Sequence, residues 1–252
     1  MSMEKTLRRP RYELLDTLRG LTVLSMVVYH GTWDLVYLFG VDWEWYGGAG
    51  AHIWQQSICW TFILLSGFCW GMGRNPLKRG LIVFGGGLVV TAVTLLFMPD
   101  SRIIFGILTF TGSAMLLMIP LDKLFCRLPP VPGLIVSGLL FALTKNINAM
   151  RIGIGPWQLP LPGGLYRGWF ATYLGFTDFS FWSSDYFSLI PWIFLFCAGY
   201  FLWKLCSPHK EKMQLLLGKG IRPLNFIGRH ALIIYMVHQP VVYGVLYLIF
   251  LL

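Results

Sequence analysis

The sequence predicts an all-α integral membrane protein, a bundle of about seven transmembrane helices with a cytoplasmic N-terminus. Three observations predict it. Hydrophobic residues make up 56% of the 252 and charged residues 12%, against roughly 25% charged in soluble domains. Apolar runs near the length of a bilayer span recur along the whole chain. The basic residues gather in short clusters between these runs. The net charge of +9 therefore reads as a topology signal. No basic stripe with interleaved aromatics continues far enough to form a nucleic-acid surface. The length suits a single domain over 1–252, with no room for a separate soluble one. The first apolar stretch is too long for a signal peptide and lacks a small-residue cleavage site, so it should stay as the first spanning helix.

The runs lie at about 18–38, 53–73, 80–98, 103–121, 131–147, 188–206 and 230–251. The fifth is short and reads as tilted, re-entrant or differently bounded, which keeps six and eight spans as alternatives to seven. Lys5, Arg8, Arg9, Arg11 and Arg19 precede or open the first run. Arg74, Lys78 and Arg79 follow the second, and Lys123 and Arg127 the fourth. Lys204, Lys210, Lys212, Lys219, Arg222 and Arg229 surround the loop before the last. Sixteen of the twenty basic residues thus share one face, which places the N-terminus inside and the C-terminus outside. The external side carries residues 39–52, rich in Trp, Tyr and Gly, and the longer segment 148–187. Within the latter, Gly163 to Phe181 is aromatic and weakly amphipathic. It reads either as an interfacial or re-entrant helix or as an aromatic belt at the headgroups.

Some run residues have plain structural explanations. Cys59, Cys69, Cys126, Cys197 and Cys206 have no metal-ligand spacing and no external position that favours a disulfide, so they read as small apolar fillers. Gly85-Gly86-Gly87 permits close helix contact. It lacks the Lys-Ser/Thr of a phosphate loop.

Ionisable residues inside spans are expensive and mark function. His30 and Asp34 end the first run four residues apart, on one helix face. Asp34 is placed to accept a hydrogen bond from His30 and fix its tautomer, as suits a general base; the alternative is a buried polar pair that locks packing. His238 lies in the last run beside Tyr235, Gln239 and Pro240. Pro240 kinks that helix and frees a carbonyl near Met236. The group suits a polar cavity or an interhelical hydrogen bond. His52 opens the second run and reads as a site residue or an interfacial one. Asp185 precedes the sixth and reads as a site residue or as that helix's N-cap. At the opposite face Asp16 and Arg19 sit at the membrane boundary with Arg229 and His230, where a salt bridge or an anion site fits. Metal signatures, a Ser-His-Asp order and a P-loop are all lacking.

Several blocks together resemble a known family. They are Leu15-Asp16-Thr17-Leu18-Arg19-Gly20, Met26-Val27-Val28-Tyr29-His30, Phe62-Ile63-Leu64-Leu65-Ser66-Gly67, Phe105-Gly106-Ile107-Leu108, Asp185-Tyr186-Phe187 with Pro191-Trp192, and Ile227-Gly228-Arg229-His230 through His238-Gln239-Pro240. The chain resembles the small bacterial proteins with the heparan-alpha-glucosaminide N-acetyltransferase catalytic domain. The resemblance implies a multi-span acyltransferase and, as location, a cell membrane, the bacterial inner membrane. The lysosomal member carries acetyl from cytosolic acetyl-CoA to a glucosamine amine across the membrane. By that resemblance Arg19, Arg229 and His230 hold CoA phosphates, with Asp16 beside them. His30, oriented by Asp34, deprotonates an amine or hydroxyl, and His238 stabilises the oxyanion. The choice of base stays open among His30, His52 and His238. The chain departs from the family at Thr109, where many bacterial relatives have a histidine. Expected partners are acyl-CoA, a sugar or glycan-like acceptor and membrane lipid, with a homodimer as a further option and no nucleic acid. The rival readings are a transporter or flippase using the same cavity, and a non-catalytic scaffold.

Overall fold

Each of the seven apolar runs forms a helix, because a chain in lipid satisfies its backbone N–H and C=O groups within a helix. The computed structural model describes residues 11–251; Lys5, Arg8 and Arg9, counted above in the charge bias, lie outside them. The long helices are α1 (Glu13–Tyr37), α2 (Ala49–Trp70), α3 (Pro76–Phe97), α4 (Ile107–Phe125), α5 (Pro130–Thr144), α7 (Leu189–Cys206) and α10 (Ala231–Leu251). Between them lie the short α6 (Trp169–Leu174), α8 (Lys210–Leu217) and α9 (Arg222–Arg229). Five of the described helices are long and apolar enough to cross a membrane: α3, α4, α5 with its extension to Ala149, α7 and α10. Helices α1 and α2, at 25 and 22 residues, are long enough but more polar, since they carry His30, Asp34, His52, Gln55 and Gln56. The protein is a helical membrane protein. The shortness of the fifth run has a simple cause. α5 ends at Thr144, and a 3₁₀ turn at Ile147–Ala149 continues its path.

Two features correct the expectation of an all-α chain with one interfacial helix over 163–181. Strands β1 (Arg151–Ile154) and β2 (Trp157–Pro160) pair antiparallel, Arg151 opposite Pro160. Gly155 at the turn has φ +56°, open to glycine without strain. Beyond it, only the six residues of α6 are helical, after a 3₁₀ turn at Gly163–Leu165. Pro160 and Pro162 remove backbone donors ahead of α6. Gly168 and Gly175, at φ +84° and +130°, close it at both ends.

The chain divides into two compact units, one of residues up to Ile58 with those from Cys206 on, the other Cys59–Leu205. In the second, α3 packs on α4. A Cβ on Gly87 would stand 2.5 Å from Thr109 Oγ1, whereas one on Gly85 would meet nothing within 4 Å, so the triple glycine serves contact through only part of its length. At one end of this unit Lys204 Nζ donates to the carbonyls of Phe125 and Cys126, at 2.7 and 2.8 Å. At the other, Asp185 Oδ2 accepts from Ile107 N–H at 3.2 Å.

In the first unit α9 lies across the opening turns of α1. A Cβ on Gly20 would stand 2.0 Å from Leu224 O, and one on Gly228 2.0 Å from Asp16 O. The two backbones therefore touch at a crossing that only glycine permits. Thr17 Oγ1 accepts from Ile221 N–H at 2.9 Å and donates to Asn225 Oδ1. The crossing brings the C-terminal end of α9 to the N-terminal end of α1.

Candidate functional site

The α1–α9 crossing assembles one half of the candidate site. Asp16 is 9% exposed and takes three guanidinium groups. Arg11 donates to Oδ2 from Nη2 at 2.8 Å and from Nε at 3.0 Å. Arg19 Nη1 lies 3.1 Å from Oδ1, and Arg229 Nε 3.5 Å from Oδ2. Three positive charges against one carboxylate leave a net charge of about +2 on a half-exposed surface. Such a cluster suits phosphate groups, because guanidinium forks bind them in bidentate fashion. Sequence reasoning missed Arg11 here, having absorbed it into the topology signal. His230 stands at the end of α9, exposed, with Nδ1 2.8 Å from Phe226 O and its ring 4.4 Å from that of Phe226. It forms no ion pair with Asp16, whose ion-pair partners among the described residues are Arg11, Arg19 and Arg229.

The other half lies toward the C-terminal end of α1, against α10. His30 and His238 bring their rings to 5.0 Å between centroids. Asp34 is fully buried, and its Oδ1 accepts from Gln239 Nε2 at 2.6 Å. This corrects the expected His30–Asp34 hydrogen bond. The i,i+4 spacing alone would allow that bond, but Gln239 of α10 supplies the donor to Asp34, and the His30 ring lies against His238 instead. His238 Nδ1 lies 2.6 Å from Tyr235 O. A carbonyl can only accept, so Nδ1 carries the proton and Nε2 is left with its lone pair. Three buried atoms here have no hydrogen-bond partner among the described residues: His238 Nε2, Asp34 Oδ2 and Gln239 Oε1. All three are acceptors. Buried acceptors without donors are costly, and a ligand bearing N–H or O–H groups would satisfy them.

An aromatic cluster lies beside His30, built around Tyr29. Tyr29 sits edge-on to Trp54 at 5.1 Å and against Tyr46 at 5.2 Å. Tyr46 lies in a 3₁₀ turn (Glu44–Gly47) and donates its hydroxyl to Tyr29 O at 3.1 Å. Burial, then a side-chain hydrogen bond with Tyr29, raises its pKa, so it remains a neutral donor.

The structure does not bring every expected residue to this group. His52 is exposed on the first turn of α2. Asp185 belongs to the other unit, where its carboxylate caps α4. Gln239 is the addition that sequence reasoning missed. Nothing local signals its partnership with Asp34, 205 positions away. Among the described residues no three His, Cys, Asp or Glu side chains gather as a metal ion requires.

Between the two halves α1 runs fourteen residues from Asp16 to His30, about 21 Å at roughly 1.5 Å per residue. No curated protein and no solved structure matches the chain. The model for "heparan-alpha-glucosaminide N-acetyltransferase, catalytic" matches residues 11–240, a stretch that holds both halves of the site. The chain belongs to that family, whose general activity is transmembrane acetyl transfer.

Proposed function

We propose that the protein moves an acetyl group from cytosolic acetyl-CoA to an amine or hydroxyl of a sugar or glycan-like acceptor on the external side of the membrane. The observation that carries this reading is the two-ended α1, with a guanidinium cluster at Asp16 and a group of buried acceptor atoms about 21 Å further on. An acyl-CoA has the same polarity, with phosphates at one end and the reacting thioester a pantetheine arm away. The basic bias of the loops supports a cytoplasmic N-terminus, which puts the arginines where CoA is found.

In this reading Arg11, Arg19 and Arg229 hold CoA phosphates, and Asp16 spaces them. The acceptor's N–H or O–H enters among Asp34 Oδ2, Gln239 Oε1 and His238 Nε2. His238 Nε2 takes its proton as the nucleophile's lone pair attacks the thioester carbon. His30, packed on His238, donates to the developing oxyanion. The C–S bond then breaks, the electron pair leaves on sulfur, and His238 returns the proton to give free CoA. These roles reverse the expectation for the two histidines, because His238 is the one held in a fixed tautomer with a free lone pair.

The test is thermal unfolding of the detergent-purified protein across acetyl-CoA concentrations, with desulfo-CoA and ATP alongside. A ligand specific for the folded state, at 100 times its dissociation constant, stabilises by about 2.7 kcal/mol. The expected result is a saturable shift with both CoA compounds and little with ATP. A folded protein that shows no shift would remove the donor and bring the transporter reading forward.

A further inference from the structure

In the unit Cys59–Leu205, the connection from α3 to α4 and the segment from α5 to α7 meet at one end of the apolar helices. Ile104 N–H donates to Ser183 Oγ at 2.9 Å, Ser184 Oγ to Ser101 O at 2.8 Å, and Arg102 Nε to Trp182 O at 3.3 Å. A cavity of about 140 Å³ opens beside these bonds, lined among others by Arg102, Trp169, Asp178, Ser180, Phe181 and Trp182. Asp178 accepts from Gly168 N–H at 2.7 Å, and from the Ser180 N–H and hydroxyl at 2.9 and 2.7 Å. About one of its four lone-pair sites remains. The Gly168 N–H, then Ser180, hold its carboxyl at about 2, so it stays an anion.

Arg102 and Asp178 line this one cavity yet form no ion pair with each other. A fixed cation and a fixed anion thus share the lining with two tryptophans, Trp169 and Trp182, that are 65% and 56% exposed. The surroundings are those of a lipid boundary. Leu96 and Phe97, at the end of α3 that leads into this connection, are 76% and 77% exposed, and Val93 and Val89 one and two turns back are exposed as well.

We propose that this cavity is a headgroup site for a zwitterionic phospholipid of the phosphoethanolamine type. The free guanidinium nitrogens of Arg102 take the phosphate. The ammonium lies against Asp178 and the tryptophan faces, which attract cations through their ring quadrupoles. The acyl chains follow the exposed apolar face of α3. Arg167 also acts on Asp178, so the preference rests on the ammonium: a purely anionic headgroup leaves the remaining Asp178 lone pair unused, and a neutral sugar has no use for two separated fixed charges. The site goes beyond the acyl-transfer reading and stands without it, since its test needs no turnover.

The test titrates delipidated protein in detergent with phosphatidylethanolamine, phosphatidylglycerol and glucosamine, and counts bound molecules by native mass spectrometry. One phosphatidylethanolamine is expected to be retained saturably, about tenfold more tightly than phosphatidylglycerol. Arg102→Gln should weaken it about tenfold, the loss of one charge-assisted hydrogen bond. Asp178→Asn should erase the preference between the two lipids. Because that change also disturbs the Gly168 and Ser180 bonds, Trp169→Ala is the second probe; it leaves those bonds intact and should weaken phosphatidylethanolamine alone. Equal retention of both lipids, unchanged by Arg102→Gln and Trp169→Ala, overturns the proposal. So does saturable displacement of the lipid by glucosamine, which would make the cavity a saccharide site.

Discussion

Asp34 shows how a single hydrogen bond changes which side chains can pair. With Gln239 on Oδ1, the carboxylate is held from α10 and its other oxygen is left open, so the histidines are free to pair with each other. If His238 is the base, His238→Ala should lower turnover by about 10² to 10⁴-fold while keeping the acetyl-CoA-dependent thermal shift. Arg19→Ala should do the converse, weakening that shift with less effect on turnover at saturating donor. A double substitution tests the Asp34–Gln239 pair itself. Gln239→Leu strips a buried carboxylate of its donor and should destabilise by roughly 1–3 kcal/mol. Asp34→Asn combined with Gln239→Glu restores one carboxylate and one amide to the pair. It is expected to recover most of the lost Tm but not the turnover, because the anion has moved to the other helix; recovery of both would reduce the pair to a packing lock. The individual ionisable residues were legible in the sequence because lipid makes them rare and conspicuous. Their partners were not, since the bonds join α1 to α10 and α1 to α9 across some two hundred positions.

Among the elements, the apolar helices could be read directly, as a spanning segment must be apolar over its whole length and needs no periodicity to be found. Helices α8 and α9 and the 151–160 hairpin escaped for the opposite reason: they are short, polar or glycine-broken, and only their packing fixes them. α9 matters most, because its contact with α1 builds the guanidinium cluster. Gly20→Ala would place a methyl 2.0 Å from the Leu224 carbonyl oxygen, and backbone offers no flexible end that can yield. The crossing should open, at a cost on the order of 1–3 kcal/mol or more, and acetyl-CoA binding should fall with it. Gly138→Ala, with nothing within 4 Å, is the control expected to be neutral or slightly stabilising. Equal Tm values for the two variants would contradict the close crossing. The loop around Asp178 carries a pH prediction. Its carboxyl is depressed from 3.8 to about 2, so its hold on Gly168 and Ser180 is complete above the ordinary value and disappears as pH falls through about 2. Pepsin, active across this window, should spare the aromatic segment 169–182 near pH 4 and cut it near pH 2. Asp178→Asn should be cut at both, and resistance of that variant at pH 4 would show that the charge does not hold the loop.

For the whole molecule, the direction of two helices limits the number of membrane crossings. His30 meets His238, Asp34 meets Gln239, and Phe39 just beyond α1 meets Tyr243 and Phe250, so residue numbers rise together and α1 runs parallel to α10. If both cross the membrane, the crossings from α1 to α10 must be odd in number, which favours seven over six or eight. Within Cys59–Leu205 the same alternation appears. Lys204 at the end of α7 reaches the α4–α5 turn, while Ser184 ahead of α7 reaches the α3–α4 connection. α5 must therefore lead from one end to the other despite its fifteen residues. Inserted reporters can test this, with green fluorescent protein for cytoplasmic loops and alkaline phosphatase for external ones. Insertions near residues 74, 127 and 219 should fluoresce, and those near 42, 100 and 157 should give phosphatase activity. A phosphatase signal at 127, or fluorescence at 157, would mean that α5 does not cross, and the donor and acceptor sides assigned to α1 would lose the topology that supports them.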